Sequence, residues 1–450
     1  MSPSSSPRPL NADLPVAQLP DDILLDIFKT YRADCYELET SADDPSRYDW
    51  LRVAQVCHHW RLLFVNTSSM WSDVSFPCDP TLSANMLRRS GEAPLAIRWD
   101  RHTWTEDECN KILAPQLHRV RHLELTTQRG ATEAFLRACA SSPPNPHLTF
   151  LRIGLRVPRS GCTVEPSGLL TGTGAPNLRT FILVFDKPLS LRGISFTARL
   201  ARLVLHQNRG ARGPAADWYT LLASAPHLRD LWLHGILPDT RAPQPLALPH
   251  LAKLDVRDTP ARVAHFLASI HTPAVRHTLL DCRHGPGGTA QGELAPAIAA
   301  HLRDATGAPP FTELAYAEST LENDVGVRVV LAARAGEERV RRLDVEFRYA
   351  DADAQRVPHF VSALPLGGVT RAELTVLGSG EQLPSAVARP EDDYAAWRTA
   401  FGGMRALEEL VVHSHCWEFA DDHFLGRNGL RQVFPRLQSV RTDEDTEWKM

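Results

Sequence analysis

Between about residue 120 and residue 442, one short pattern keeps returning: an apolar residue, two others, an apolar residue, one other, an apolar residue. Six clear copies are Val120–Leu125, Leu148–Ile153, Leu228–Leu233, Leu251–Val256, Val340–Val345 and Leu407–Val412, and weaker ones begin at Leu178, Leu200, Val275, Phe311, Val369 and Leu437. The alternation within each copy is that of a strand with one buried face. Between copies lie stretches with helical spacing, at 131–140, 218–224, 262–270 and 294–304, often bounded by proline as in Ala225-Pro226, Leu248-Pro249 and Thr272-Pro273. A strand and a helix per unit, stacked so that each unit buries its neighbour's apolar face, predicts an α/β solenoid with an inner parallel sheet and an outer row of helices. The remaining positions of the copies carry Arg121, His122, Glu124, Arg229, Asp230, Arg341, Arg342 and Asp344. They read as a solvent-facing strand surface.

The copies start roughly 22 to 38 residues apart, overlapping and slightly exceeding the period of about 20 to 29 residues of leucine-rich repeats. The stretch from 119 to 445 resembles the leucine-rich repeat domains, in a degenerate form. The asparagine or cysteine expected two residues past the last leucine is mostly replaced, by Gln128, Arg156, Ile236, Thr259 and Arg348; Asn208 fits, and Cys282 and Cys416 fall close by. The expectation is therefore an irregular solenoid, with a non-repeating α/β domain as its rival. Stretches rich in proline and glycine, 141–146, 210–214, 241–249 and 285–288, read as surface loops on one rim.

At 450 residues and 43% hydrophobic, the chain is long enough for more than one domain or a repeat array. A formal charge of -4, from 49 basic and 53 acidic residues spread along the chain, is no footprint for nucleic acid or an anionic membrane. Residues 1–14, small, polar and proline-rich, are expected to be disordered, without a secretory signal, so a cytoplasmic or nuclear location is expected. The eight cysteines are scattered and read as reduced thiols. Gly172-Thr173-Gly174 and Gly378-Ser379-Gly380 lack the context of a phosphate loop or nucleophile elbow and read as turns. His413, His415, Cys416 and His423 include zinc-compatible donors, but on a strand Cys416 points away from the two histidines and no fourth ligand follows, so neither a metal nor another cofactor is expected. Asp443-Glu444-Asp445 reads as a solvated tail.

The first 80 residues behave differently. Leu19-Pro20 precedes Asp21-Asp22, which suit a helix's first turn, and Ile23, Leu24, Ile27 and Phe28 follow at helical spacing on a segment of about ten residues. A helix that short needs something to pack on. A second helix, Trp50 to Val65, offers Val53, Val56, Cys57, Trp60 and Phe64 at buried-face spacing, a turn follows at Ser68–Trp71, and Thr30 to Asp49, between the two helices, reads as a loop or, in its first residues, as a prolongation of the first helix. So small a bundle is poorly stable alone, and an apolar face left over is a docking face.

These residues carry a family resemblance. Leu19-Pro20, Ile23-Leu24-x-x-Ile27-Phe28, Val56-Cys57-x-x-Trp60-Arg61 and Trp71 resemble the F-box, over residues 15–76, in a form similar to those of mushroom-forming fungi; 77–118 is then a connecting segment. The departure is the longer link from Thr30 to Asp49. The resemblance implies a three-helix domain that binds the adaptor Skp1, and through it a cullin, in a ubiquitin ligase. It assigns adaptor contact to Leu19, Pro20, Ile23, Leu24, Ile27 and Phe28, and shares Leu51, Val56, Cys57, Trp60 and Trp71 between contact and internal packing. The repeats would hold an unknown target protein, with catalysis left to other subunits and no enzymatic role here. The alternatives are an adaptor-bound scaffold outside ubiquitination, or helices that simply pack on one another.

Overall fold

The computed structural model describes residues 15–37, 45–76, 80–100, 111, 114–128, 144–156, 174–185, 194–207, 215–282, 291–305, 308–321, 324–335, 338–349, 357–377, 398–413, 433–442 and 447–449. The expected helix at 131–140, the loops at 210–214 and 285–288, Asn208, Gly172, Thr173, residues 378–380, His415, Cys416, His423, the acidic tail and residues 1–14 lie outside them. The chain forms two compact units, Met1–Arg156 and Val157–Met450.

The first unit opens with a 3-10 turn, Pro15–Gln18, then helix α1 (Asp21–Glu37), a 3-10 segment (Pro45–Arg52), α2 (Val53–Val56), α3 (His58–Asn66) and a further 3-10 turn at Ser68–Trp71. The two helices differ in how they meet their expectations. The first takes the prolonged form and runs 17 residues rather than about ten, because Leu24, Phe28 and Cys35 supply a buried stripe that carries it past Thr30. Most of the expected link is thus structured, leaving 38–44 outside the described residues. The second helix is broken: Cys57 is extended (φ -154, ψ 171) and starts α3 as its N-cap, its Sγ accepting from the Trp60 backbone N–H at 3.4 Å.

Strand β1 (Asp73–Phe76), helix α4 (Pro80–Arg89), β2 (Leu95–Asp100), β3 (Val120–Gln128) and β4 (Phe150–Arg156) follow, the strands pairing in parallel in that order. The expected connecting segment therefore holds α4 and β2. Val74, Ile97, Leu123 and Leu151 stand in register and are at most 2% exposed. On the other face, Glu124 accepts from His122 at 2.7 Å and lies near Arg98 and Arg152. Burial opposes its ionisation, but the His122 hydrogen bond and the neighbouring charges outweigh that and hold its carboxyl below the usual range. Asn145, expected in a surface loop, is buried: its Nδ2 donates to the Leu117 and Val120 carbonyls and its Oδ1 accepts from the His147 and Leu148 N–H groups. The turn needs its backbone groups satisfied, and this one side chain satisfies four.

The second unit contains β5 (Thr180–Phe185), β6 (Arg202–Gln207), α5 (Ala215–Ala223), β7 (Asp230–His234), β8 (Leu246–Ala247), β9 (Lys253–Arg257), α6 (Pro260–Leu267), β10 (Ile270–His271), β11 (His277–Cys282) and α7 (Gln291–Asp304). There follow β12 (Glu313–Leu321), β13 (Asp324–Ala335), β14 (Glu338–Tyr349), α8 (Val357–Ser362), β15 (Arg371–Leu377), β16 (Glu409–Val412), β17 (Ser439–Thr442) and β18 (Glu447–Lys449). In sheet order the strands run β5-β6-β7-β9-β11-β14-β13-β12-β15-β16-β17-β18, with β8 and β10 pairing separately. Pairing is parallel from β5 to β11 and on to β14; β14-β13-β12 is an antiparallel meander, after which β12, β15, β16 and β17 are parallel again.

Each sequence copy, strong or weak, reaches into one of these strands or β3 and β4. One column, Phe181-Leu203-Leu231-Leu254-Thr278-Leu343-Leu331-Leu314-Ala372-Leu410-Val440, crosses the unit in register and is at most 3% exposed throughout. The same turn recurs ahead of the strands: the N–H of Leu178, Leu200, Leu228, Leu251, Val275, Leu407 and Leu437 donates to the carbonyl three residues back. Proline sits inside five of these turns, at 176, 226, 249, 273 and 435, where its fixed φ favours the turn over further helix. Two of the expected solvent-facing residues are buried instead. The Arg341 guanidinium donates to the Pro309 and Leu302 carbonyls under the Phe311 ring, and Asp344 accepts from Arg328 and Arg342. The meander interrupts the parallel run where a simple repeat would place β12 beside β11.

Candidate functional site

The segment from Val16 to Trp71 is organised by aromatic packing. Phe28 meets Trp60 and Phe64 with ring centroids 5.0 and 6.3 Å apart, and Trp50, Phe64 and Trp71 lie mutually within 5.2 to 5.9 Å. Trp71 Nε1 donates to the Phe64 and Val65 carbonyls, which closes the last turn over α3. Arg32 donates to the Ser69 and Met70 carbonyls at 3.1 and 2.7 Å with its guanidinium carbon 5.9 Å from the Trp50 ring centre, so the extended part of α1 is tied to the far end of the module. At the other end, His59 Nε2 stands 3.0 Å from Asp21 Oδ1, and Arg61 Nε donates to the Ala54 carbonyl across the Cys57 break.

This packing divides α1 into two stripes. Leu24, Phe28 and Cys35 are 0%, 1% and 9% exposed, whereas Ile23, Ile27 and Tyr31 are 44%, 46% and 39% exposed at intervals of four residues. Four-residue spacing puts the latter three one above another on a single outward face. Val16, Val56 and Leu62 are exposed as well. Among the described residues these six are the exposed large hydrophobic side chains, and all belong to this segment of the chain. So local a concentration of apolar surface calls for a partner.

Of the residues singled out from sequence, Leu24, Phe28 and Trp71 point into the module, Leu19, Leu51, Cys57 and Trp60 are half-buried, and Pro20, Ile23, Ile27 and Val56 are exposed. The sequence motif leaves out Val16, Tyr31 and Leu62. Tyr31 is legible in principle, standing four residues after Ile27, but only on a helix continuing past Thr30; the helical spacing that puts Phe64 on the buried face leaves Leu62 off it.

Among the described residues, reactive chemistry is sparse. Burial pushes the thiols of Cys35 and Cys282 upward, the opposite of what activates a nucleophile. Among the described residues no group of histidine, cysteine and carboxylate side chains could hold a metal, and His413 bonds instead to Glu373 at 3.1 Å. No described helix is long and apolar enough to cross a membrane. The F-box-like family matches residues 16–77. No curated protein matches the chain.

Proposed function

We propose that this chain, which carries an F-box-like domain at residues 16–77, is the substrate-recognition subunit of a Skp1-cullin-F-box type ubiquitin ligase, acting in the cytoplasm or nucleus. The observation that carries the reading is the exposed Ile23-Ile27-Tyr31 stripe on a helix whose adjacent stripe, Leu24, Phe28 and Cys35, is buried. Ile23, Ile27, Val56 and Pro20 would lie directly against a Skp1-like adaptor. Leu24, Phe28 and Trp71 would contribute by holding α1 and α3 at a fixed angle, and half-buried Leu19, Leu51, Cys57 and Trp60 would do some of both.

In this reading the second unit acts as an irregular leucine-rich-repeat-like solenoid and holds the target protein. The recurring turn and the in-register column across the sheet support it; the β12–β14 meander is its irregularity. The contribution to catalysis is proximity: a target held beside a charged ubiquitin-conjugating enzyme reacts as if intramolecular, without a catalytic side chain on this chain.

Co-expression with a Skp1-like adaptor and cullin tests the reading. Wild type is expected to co-purify with both, and Ile23→Asp with Ile27→Asp to lose both while melting at the wild-type temperature. Adaptor without cullin would replace the ligase by a scaffold, and retention of the adaptor by the double variant would sink the docking face.

A further inference from the structure

The sheet of the second unit carries a charge pattern that its packing does not explain. Six strands neighbouring one another, β5, β6, β7, β9, β11 and β14, align Thr180, Arg202, Asp230, Lys253, His277 and Arg342 in register. At that level or one residue before it, each strand places a cation: Arg179, Arg202, Arg229, Lys253, Arg276 and Arg342. Backbone hydrogen bonds link them in succession. Arg202 N–H donates to the Arg179 carbonyl, Lys253 N–H to that of Arg229, and Arg342 N–H to that of Arg276, while Ala201 and Ala252 bridge the remaining steps. With strands about 4.8 Å apart, the row is about 24 Å long.

Counter-charge is scarce along it. In residues 176–180, 197–202, 226–230, 249–253, 273–277 and 341–342 the one carboxylate is Asp230. Arg179, Arg229, Lys253 and Arg276 are exposed and, among the described residues, make no ion pair. Arg202 lies 4.7 Å from the Trp232 ring centre with its Nε unpartnered, and Arg342 is held by Asp344. The crowding is felt by His277, whose imidazole is pushed below its ordinary value by burial and then by the charges of Lys253, Arg342 and Arg276. Asp258, Asp281 and Glu346 lie toward the other ends of β9, β11 and β14, and Asp255, midway along β9, pairs with His234 and Arg257. So like charges are gathered at one rim of a chain whose formal charge is -4.

We propose that this rim, formed by the starts of β5, β6, β7, β9 and β11 with Arg342 of β14 beside them, is the docking surface for an acidic segment of the target, rich in aspartate and glutamate and lying across the strands. The inference rests on the target-holding role argued above and gives it a chemistry. An extended segment of about seven residues spans the row. A nucleic acid fits less well, since a long polyanion meets the repulsion of a net-acidic chain beyond the rim, whereas a short segment meets only the rim.

Binding of fluorescein-labelled oligoglutamate to the full chain, followed by anisotropy across a range of NaCl, tests this without any adaptor present. Wild type is expected to bind in a salt-dependent way. Arg229→Glu/Lys253→Glu/Arg276→Glu, which reverses three rim charges, is expected to lose on the order of tenfold or more in affinity. Lys253→Gln, a milder change on an exposed side chain, is expected to show a smaller loss in the same direction, with an unchanged circular-dichroism melt. Absence of binding to wild type, equal binding by wild type and the triple variant, or tighter binding of a single-stranded oligonucleotide through the same residues would each overturn the proposal. Adaptor co-purification is read separately: its loss on Ile23→Asp/Ile27→Asp bears on the module alone, and peptide binding by the rim variants bears on the rim alone.

Discussion

Ile23 and Leu24 are adjacent in the chain and have opposite duties, because a helix turns about 100° per residue and only one of them can face the aromatic cluster. Ile23 is 44% exposed and Leu24 fully buried. Leu24→Ala and Phe28→Ala are expected to cost about 3 kcal/mol each through the cavities they leave, seen as a lowered denaturation midpoint, whereas Ile23→Asp leaves that midpoint nearly unchanged. Gly235 has φ +68, and a Cβ there would stand 2.5 Å from the Gln207 carbonyl oxygen. Gly235→Ala is therefore expected to destabilise the second unit by more than about 1 kcal/mol in urea titrations. His301 is buried with Nδ1 3.2 Å from Thr272 Oγ1, and burial pushes its imidazole down to about 4, Arg341 adding to the effect and Asp304 opposing it. The unfolded chain therefore binds the extra proton first. Stability from this residue is complete above the ordinary histidine value of about 6.5 and is lost as pH falls toward the folded value. Urea midpoints at pH 7 and pH 5 should differ, and the difference should shrink in His301→Leu. None of these three assignments is open to a linear reading, since burial and left-handed backbone are properties of the packed chain.

Among the elements, α1 and α3 show how a pattern can be right in type and wrong in extent. The periodicity of Ile23, Leu24, Ile27 and Phe28 identifies the helix, but its length depends on Cys35 being buried and on Arg32 reaching carbonyls at Ser69 and Met70. Arg32→Ala is expected to lower module stability by about 1 kcal/mol, from the lost hydrogen bonds and the packing over Trp50; a thermal melt of the variant checks it. The break at Cys57 has a physical cause that no periodicity reports: the residue must leave helical geometry for its side chain to cap the N–H of Trp60. Serine is a favoured residue at such a position. Cys57→Ser is accordingly expected to match or exceed wild-type stability, while Cys57→Val, lacking an acceptor, falls below it. The strands are the more legible elements, each copy of the apolar pattern reaching into one. Yet no copy falls on β13, and that strand decides that β14 rather than β12 lies beside β11.

For the whole molecule, the first unit allows the module's dependence on the neighbouring strands to be measured. Trp71 packs beneath Arg89 of α4, at 4.6 Å, and β1 pairs with β2. A fragment ending at residue 76 loses both and is expected to melt lower than one ending at residue 156, as circular dichroism would register. Taken alone, the sequence determined the local choices: alternating residues that make strands, four-residue spacing that makes α1, turns ahead of strands, and the order of leucine, proline, aliphatic and tryptophan residues that resembles an F-box. These follow from nearest neighbours, which a linear reading contains. Only the tertiary structure decided which stripe of α1 stays exposed, that Arg341 and Asp344 are interior, and that cations on or just ahead of six separate strands share one rim. Those outcomes depend on strand pairing and helix packing between residues tens of positions apart, where hydrogen-bond register and the filling of one common core, rather than local propensity, select the arrangement.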